Sequence, residues 1–332
     1  MENLDVYGVC NPLIDILCHV PDSFLKERGL NKNSMNLISL EEQQTLLLAL
    51  AEKKLSVEFA AGGSGANTMI GIAQLGGCTA FSGKIGRDNH GKIYRDRLED
   101  MGVKAFLGEG TGTTGSSLIL VSNDGSRAMN TYLGISQELD VPDIFVDVIQ
   151  SSKYLYLTGY LWDTEVQKKA VINALDQAKK NDIKVALSLS DPFCVKRHNV
   201  DFKKLLQGYT NMVFCNQEEA FSLLGTIVTQ EALEILSKWN ETVVLTLGAN
   251  GALIAHHGQI YYIDPMPIHV DDTTGAGDAF AAGFLFGMTH EFSPLESGRI
   301  GAVLAGGVIE QTGPRYQGDV PLLISEKIGL KI

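Results

Sequence analysis

A chain of 332 residues, 45% hydrophobic and 20% charged, is globular in composition and long enough for one large α/β domain or two ordinary ones. Its formal net charge of −12 argues against nucleic acid as a partner, because a phosphate backbone needs a basic face, while a local anion site stays open to it. No uncharged apolar stretch approaches the roughly 20 residues of a membrane span, and the acidic start Met1-Glu2-Asn3-Leu4-Asp5 is unlike a signal peptide, which points to the cytoplasm.

In chain order, Val6–Val9 reads as a short apolar strand and Ile14–Val20 as a second, with Asn11-Pro12-Leu13-Ile14-Asp15 directly after the first. Ser39 followed by Glu42 is a capping box for a helix reaching Lys54. Ala61-Gly62-Gly63-Ser64-Gly65-Ala66-Asn67 then leads into the helically spaced Met69, Ile70, Ile72, Ala73 and Leu75, closed by Gly76-Gly77. Thr79–Ile85 reads as a strand, Asp88–Met101 as a helix ended by Gly102, and Val103–Leu107 as a strand. From there to Leu133 the pattern is that of β-hairpins: Leu118–Val121, a turn at Asn123-Asp124-Gly125, then Arg127–Tyr132. Gly110, Gly112 and Gly115 fit G-x-G-x-x-G, but the strand-like Ser116–Val121 follows where a dinucleotide fingerprint requires a helix. No Gly-x4-Gly-Lys-Ser/Thr run occurs, which excludes a P-loop.

After residue 140, Tyr154–Leu157, Ile183–Leu189, Met212–Phe214 and Val243–Leu247 are strands separated by helices. Nearly continuous apolar strands in that alternation predict an α/β fold: a doubly wound, mostly parallel sheet flanked by helices. With no linker or repeat, residues 1–332 read as one domain carrying a small discontinuous β-lid, made from the pieces near 12–38 and 104–134. The five cysteines are scattered without C-x-x-C, as for buried thiols in a reducing compartment. His256-His257 has no ligand spacing nearby and reads as structural or solvated.

The most informative stretch is Asp272-Thr273-Thr274-Gly275-Ala276-Gly277-Asp278-Ala279-Phe280. Small residues before a helically spaced apolar run place the N–H groups of Gly275, Ala276 and Gly277 at a helix N-terminus, where unpaired amides and the positive dipole end attract phosphate. Asp278, in the first turn and kept ionised by that dipole, stands where it can take a proton from an acceptor hydroxyl.

Together with Gly62, Gly63 and Asn67, this stretch resembles the paired signatures of the ribokinase-like (PfkB) carbohydrate and nucleoside kinases. The resemblance spans nearly the whole chain and looks closest to the adenosine kinase branch, which matches Asn11 to Asp15, Leu187 to Phe193 and Phe214 to Ala220 as well. It implies an ATP- and Mg²⁺-dependent kinase acting on the 5′-hydroxyl of a purine nucleoside, adenosine giving AMP. Gly275, Ala276 and Gly277 would form the anion hole, Asp278 the catalytic base, and Arg127 on the lid a contact to the transferring phosphate. Asn11 and Asp15 would bind ribose hydroxyls, Gly62, Gly63 and Asn67 the sugar, and Met35, Leu37, Leu133 and Tyr160 an apolar slot for the base. Asn216 and Glu219, an Asn-x-x-Glu pair, would hold Mg²⁺ and phosphates through water, and Thr246, Gly248 and Gly251 would form the nucleotide turn. The chain departs from that branch at Thr274, where Asn is usual, and at Gly159-Tyr160-Leu161-Trp162, where paired aromatics are usual. A ribokinase- or fructokinase-like sugar kinase and a non-catalytic nucleotide or nucleoside sensor on the same fold are the alternative readings. Monovalent-cation dependence, and monomer against homodimer, stay open.

Overall fold

The computed structural model describes residues 3–32, 34–124 and 126–332. Fourteen strands form among them: β1 (Leu4–Val9), β2 (Leu13–His19), β3 (Ser34–Leu37), β4 (Glu58–Gly62), β5 (Thr79–Gly86), β6 (Val103–Gly110), β7 (Gly115–Val121), β8 (Arg127–Tyr132), β9 (Ser152–Thr158), β10 (Lys184–Ser188), β11 (Met212–Asn216), β12 (Thr242–Thr246), β13 (Ala252–His256) and β14 (Gln259–Ile263). Nine make one sheet in the order β14-β13-β12-β11-β10-β9-β1-β5-β6, parallel from β12 to β6 and closed at the other edge by two antiparallel pairings. The interior strand β1 is buried at every residue, as a parallel strand covered on both faces must be. One apolar layer packs the helices Ser64–Gln74, Ala276–Thr289 and Pro294–Ile309 on one face, and a second packs Glu165–Lys180 and Thr229–Trp239 on the other.

Chain order runs outward in opposite directions from β1 and β9, so the topological switch point lies between their carboxyl ends. Ligands of open α/β sheets bind at such a crevice. Asn11 and Tyr160 stand there, one after each strand.

The remaining strands form a five-stranded sheet, β3-β8-β7-β2-β4, which corrects the expected lid boundaries. β6 belongs to the large sheet, whereas Glu58–Gly62, of which the sequence marks only Ala61 and Gly62 as a lead-in to a helix, pairs with β2. In β2, Ile14, Ile16 and Cys18 point into the core, while Leu13, Asp15 and Leu17 are half-exposed on the other face. Cross-strand register carries that second face along Asp15–Ser117–Thr131, Leu17–Ile119–Met129 and Val121–Arg127. One face of this sheet thus presents a carboxylate, apolar groups and an arginine together. The Gly125 part of the β7–β8 turn and the Met35 side chain lie outside the described residues.

Among the described residues no helix is long and apolar enough to cross a membrane. Cys10, Cys18, Cys194 and Cys215 are buried free thiols, but Cys78 is exposed, because the turn after the helix Ser64–Gln74 lifts it out of the core.

Candidate active site

The helix Ala276–Thr289 starts from Gly275, whose φ of 78° is left-handed. A Cβ here would also fall 2.3 Å from the Pro314 carbonyl oxygen, so both backbone strain and contact require glycine. The preceding loop is shaped by the Asp272 carboxylate, which accepts from Thr274 N at 3.1 Å and from Gly313 N at 3.0 Å. Asp272 also pairs with Nη2 of Arg127 at 2.5 Å, both side chains being less than a tenth exposed (8% and 7%). The expected trio of amides needs one correction. Gly275 and Gly277 keep N–H groups with no backbone acceptor among the described residues, whereas Ala276 N–H donates to the Thr273 carbonyl at 3.2 Å.

Asp278 sits in the first turn and accepts from Ser64 Oγ at 2.6 Å and Asn67 Nδ2 at 3.1 Å, both from the second glycine-led helix. Burial pushes its pKa up to about 6, opposed by those two hydrogen bonds and by Arg315. The dipole-lowered value expected from sequence is therefore reversed by desolvation, although the group is still mainly ionised at neutral pH.

Beneath Gly62 lies the carboxyl group of Asp15: a Cβ at Gly62 would come within 2.2 Å of it. Gly63, at φ 91°, also packs closely, a Cβ there falling 2.6 Å from the Asn11 carbonyl oxygen. Burial raises Asp15 to about 7, against the pull of Arg315 and then Arg127. Two residues expected to contact the sugar also hydrogen-bond within the protein. Asn11 is 4% exposed, its Oδ1 accepting from Gln167 Nε2 at 2.6 Å and its Nδ2 facing the Tyr160 carbonyl at 3.4 Å. The Asn67 amide is held between Asp278 and Arg315 Nη1, the latter 3.0 Å away.

A cavity of about 710 Å³ opens between the lid face and the loop 311–317. Asp15 and Arg315 line it, with Leu17, Phe59, Ile119 and Tyr316 among its apolar walls. The residues expected at a base slot lie elsewhere. Leu37 is 54% exposed, Leu133 and Tyr160 are half-buried, and none of the three lines this cavity; the Tyr160 hydroxyl instead donates to the Ser190 carbonyl at 3.2 Å. Arg315 went unnoticed in the sequence, since Gly313-Pro314-Arg315 has no spacing relation to either glycine motif.

The profile of pfkB family carbohydrate kinases matches residues 33–320, most of the chain. The chain belongs to the PfkB family. A probable sugar kinase protein from Rhizobium etli CFN 42 superimposes with a TM-score of 0.89 at 36% identity, covering 98% of this chain and 99% of that one. The adenosine kinase from Sinorhizobium meliloti gives 0.88 at 36% identity with the same coverage. Adenosine kinase 2 of Arabidopsis thaliana is 27% identical over 337 residues, 93% of this chain and 94% of its own length. This PfkB protein is accordingly a phosphotransferase with an alcohol acceptor, and ATP is the co-substrate its family implies.

The residues of this PfkB kinase fit an anionic co-substrate. Nε and Nη1 of Arg127 are buried with no acceptor among the described residues, and an orphaned pair of guanidinium donors beside two free amides suits phosphoryl oxygens. They also fit a hydrated dication. Burial raises Glu219 to about 7, and the charges of Asp191, Glu218 and Asp278 push the same way, so a cation is welcome there. Both Glu219 oxygens are engaged by Asn216, Oε2 by its N–H at 3.0 Å and Oε1 by Nδ2 at 2.9 Å, in the capping box of the helix Gln217–Leu224. Direct ligation would break that cap, whereas Mg²⁺ keeps its waters readily. Thr246 pairs with Asn216 across the β11–β12 ends, and Gly248 is exposed with nothing near its missing Cβ. Gly251 is walled in: a Cβ would strike the Ile263 carbonyl oxygen at 2.0 Å, so the β12–β13 hairpin requires glycine there. His256 and His257 acquire a third neighbour that the sequence hides, Glu241, but Lys184 Nζ already lies 2.8 Å from that carboxylate.

Proposed function

We propose that this PfkB kinase transfers the γ-phosphoryl group of ATP to the 5′-hydroxyl of a purine nucleoside, adenosine giving AMP. The observation that carries the reading is one carboxylate, Asp278, held by two donors next to the free amides of Gly275 and Gly277, and joined through Asn67 and Arg315 to a cavity of nucleoside size. Asp278 takes the proton as the acceptor oxygen bonds to phosphorus and the bond to ADP breaks. The two amides and Arg127 stabilise the charge spread over the transferring group. Asn216 and Glu219 would hold Mg²⁺ through water, and the bound ion would add neutralisation of the phosphate oxygens. Asp15, on the cavity wall, accepts hydrogen bonds from a vicinal diol, and Leu17, Phe59, Ile119 and Tyr316 suit a flat base better than a free sugar would.

A sugar acceptor is the second reading. Gln74, Gln311 and Glu58 on the same cavity favour it, as does the likeness to the Rhizobium etli protein. ADP release measured with a panel of nucleosides and sugars separates the two. Turnover with adenosine well above ribose or fructose supports the first, the reverse order supports the second, and no turnover with any acceptor leaves a nucleoside sensor.

A further inference from the structure

Loop 311–317 reaches the reaction centre at three points. Gly313 N donates to Asp272 Oδ2 at 3.0 Å, Pro314 closes over Gly275, and Arg315 Nη1 donates both to the Ala61 carbonyl and to Asn67 Oδ1, the latter at 3.0 Å. The loop is itself anchored, by Gln74 Nε2 on the Tyr316 carbonyl at 2.9 Å and Gln311 Nε2 on that of Arg315 at 3.3 Å.

We propose that Arg315 is the positioning residue of the proton acceptor: it holds the Asn67 amide with its N–H end toward Asp278 and places one cation beside both Asp278 and Asp15. A guanidinium has donors only, so the amide end that meets it must be the carbonyl oxygen. The other end, Nδ2, then has to face Asp278, which it does at 3.1 Å. Without Arg315 the amide is free to turn and present an oxygen to the carboxylate. The charge acts alongside the orientation. Asp278 accepts from Ser64 and Asn67 on one helix, and its charge acts on Cys10 after β1, Asp15 on β2, Tyr156 on β9, Tyr160 after it and Glu219 on the helix Gln217–Leu224. Arg315 is the cation that pulls against its desolvation, while Arg127 acts on Asp15. Tyr94, from the helix Asn89–Asp100, faces Arg315 as well.

The catalytic consequence rests on reading Asp278 as the base, but the placement can be tested without turnover. In protein labelled with ¹³C at the aspartate carboxyls, the resonance lost in Asp278→Asn identifies that group. Its midpoint is expected near 6 in the wild type and about one pH unit higher in Arg315→Met. Arg315→Gln, which retains a donor for Asn67 but no charge, carries the same test should the Met variant not fold. In the active enzyme the acid limb of kcat/KM moves up with the midpoint, and kcat is recovered at high pH. Adding Asn67→Leu to Arg315→Met costs less than the product of the single losses, because both act on one hydrogen bond. A midpoint that stays in place in both Arg315 variants overturns the proposal whether or not any acceptor is turned over. A wild type inactive with every acceptor overturns the kinase reading instead.

Discussion

Asp278→Asn removes the proton acceptor while keeping its size. The wild-type carboxylate accepts from Ser64 Oγ at 2.6 Å and Asn67 Nδ2 at 3.1 Å, and an amide there retains one acceptor while the Ser64 hydroxyl turns to receive its N–H. Loss of a general base costs about 10²–10⁴ in kcat, or roughly 3–5 kcal/mol in the barrier, with KM for the acceptor nearly unchanged. Stability is expected to move the other way. Burial raises the folded pKa of Asp278 to about 6, so the folded state binds this proton more tightly than the unfolded chain does. Stability therefore declines as pH rises from the unfolded value, about 4, to about 6, and is level above. Holding the group ionised costs at most about 3 kcal/mol, and solvent reaching the half-buried carboxylate lowers that figure. The Asn variant should accordingly melt above the wild type at pH 7.5, with the gain vanishing near pH 4. ADP release across pH and thermal denaturation of both proteins measure the two effects. A kcat within about threefold of the wild type refutes the base assignment, and an unchanged Tm at pH 7.5 refutes the buried-charge argument.

Because a protonated Asp278 cannot accept, kcat/KM of the wild type should fall as pH drops through about 6 and be flat above it; a profile flat down to pH 5 contradicts this. Gly275→Ala places a Cβ 2.3 Å from the Pro314 carbonyl oxygen at a left-handed φ, so a loss of about 1–3 kcal/mol in stability and more than about tenfold in kcat is expected from denaturation and steady-state kinetics. Gly62→Ala drives a Cβ into the Asp15 carboxyl and should raise acceptor KM by about tenfold or more; an unaltered KM removes Asp15 from the acceptor site. Arg127→Ala leaves the buried Asp272 unpaired, at a cost of about 3–5 kcal/mol, and should also lower kcat. A lower Tm with normal kcat would make Arg127 a structural ion pair alone.

Local physics was legible along the chain. The capping box at Ser39/Glu42, the glycine-led helix starts before Ser64 and Ala276, and the apolar strands of the parallel sheet all follow from hydrogen-bonding and steric rules that act over a few residues. So did the family, because its two glycine motifs are contiguous in sequence. Other features depended on which distant segments meet. Asp278 finds its donors 214 and 211 positions away, and Arg315 reaches Asn67 across 248. No periodicity encodes such a meeting, so Arg315 was invisible, as were the internal partners of Asn11 and Asn67. Desolvation is likewise a property of the assembled interior: the helix dipole by itself favours an ionised Asp278, and only the packed surroundings push its pKa up to about 6. The chain thus wrote its helix starts and its phosphate loop locally, while the orientation, charge balance and proton affinity of the base came from long-range packing.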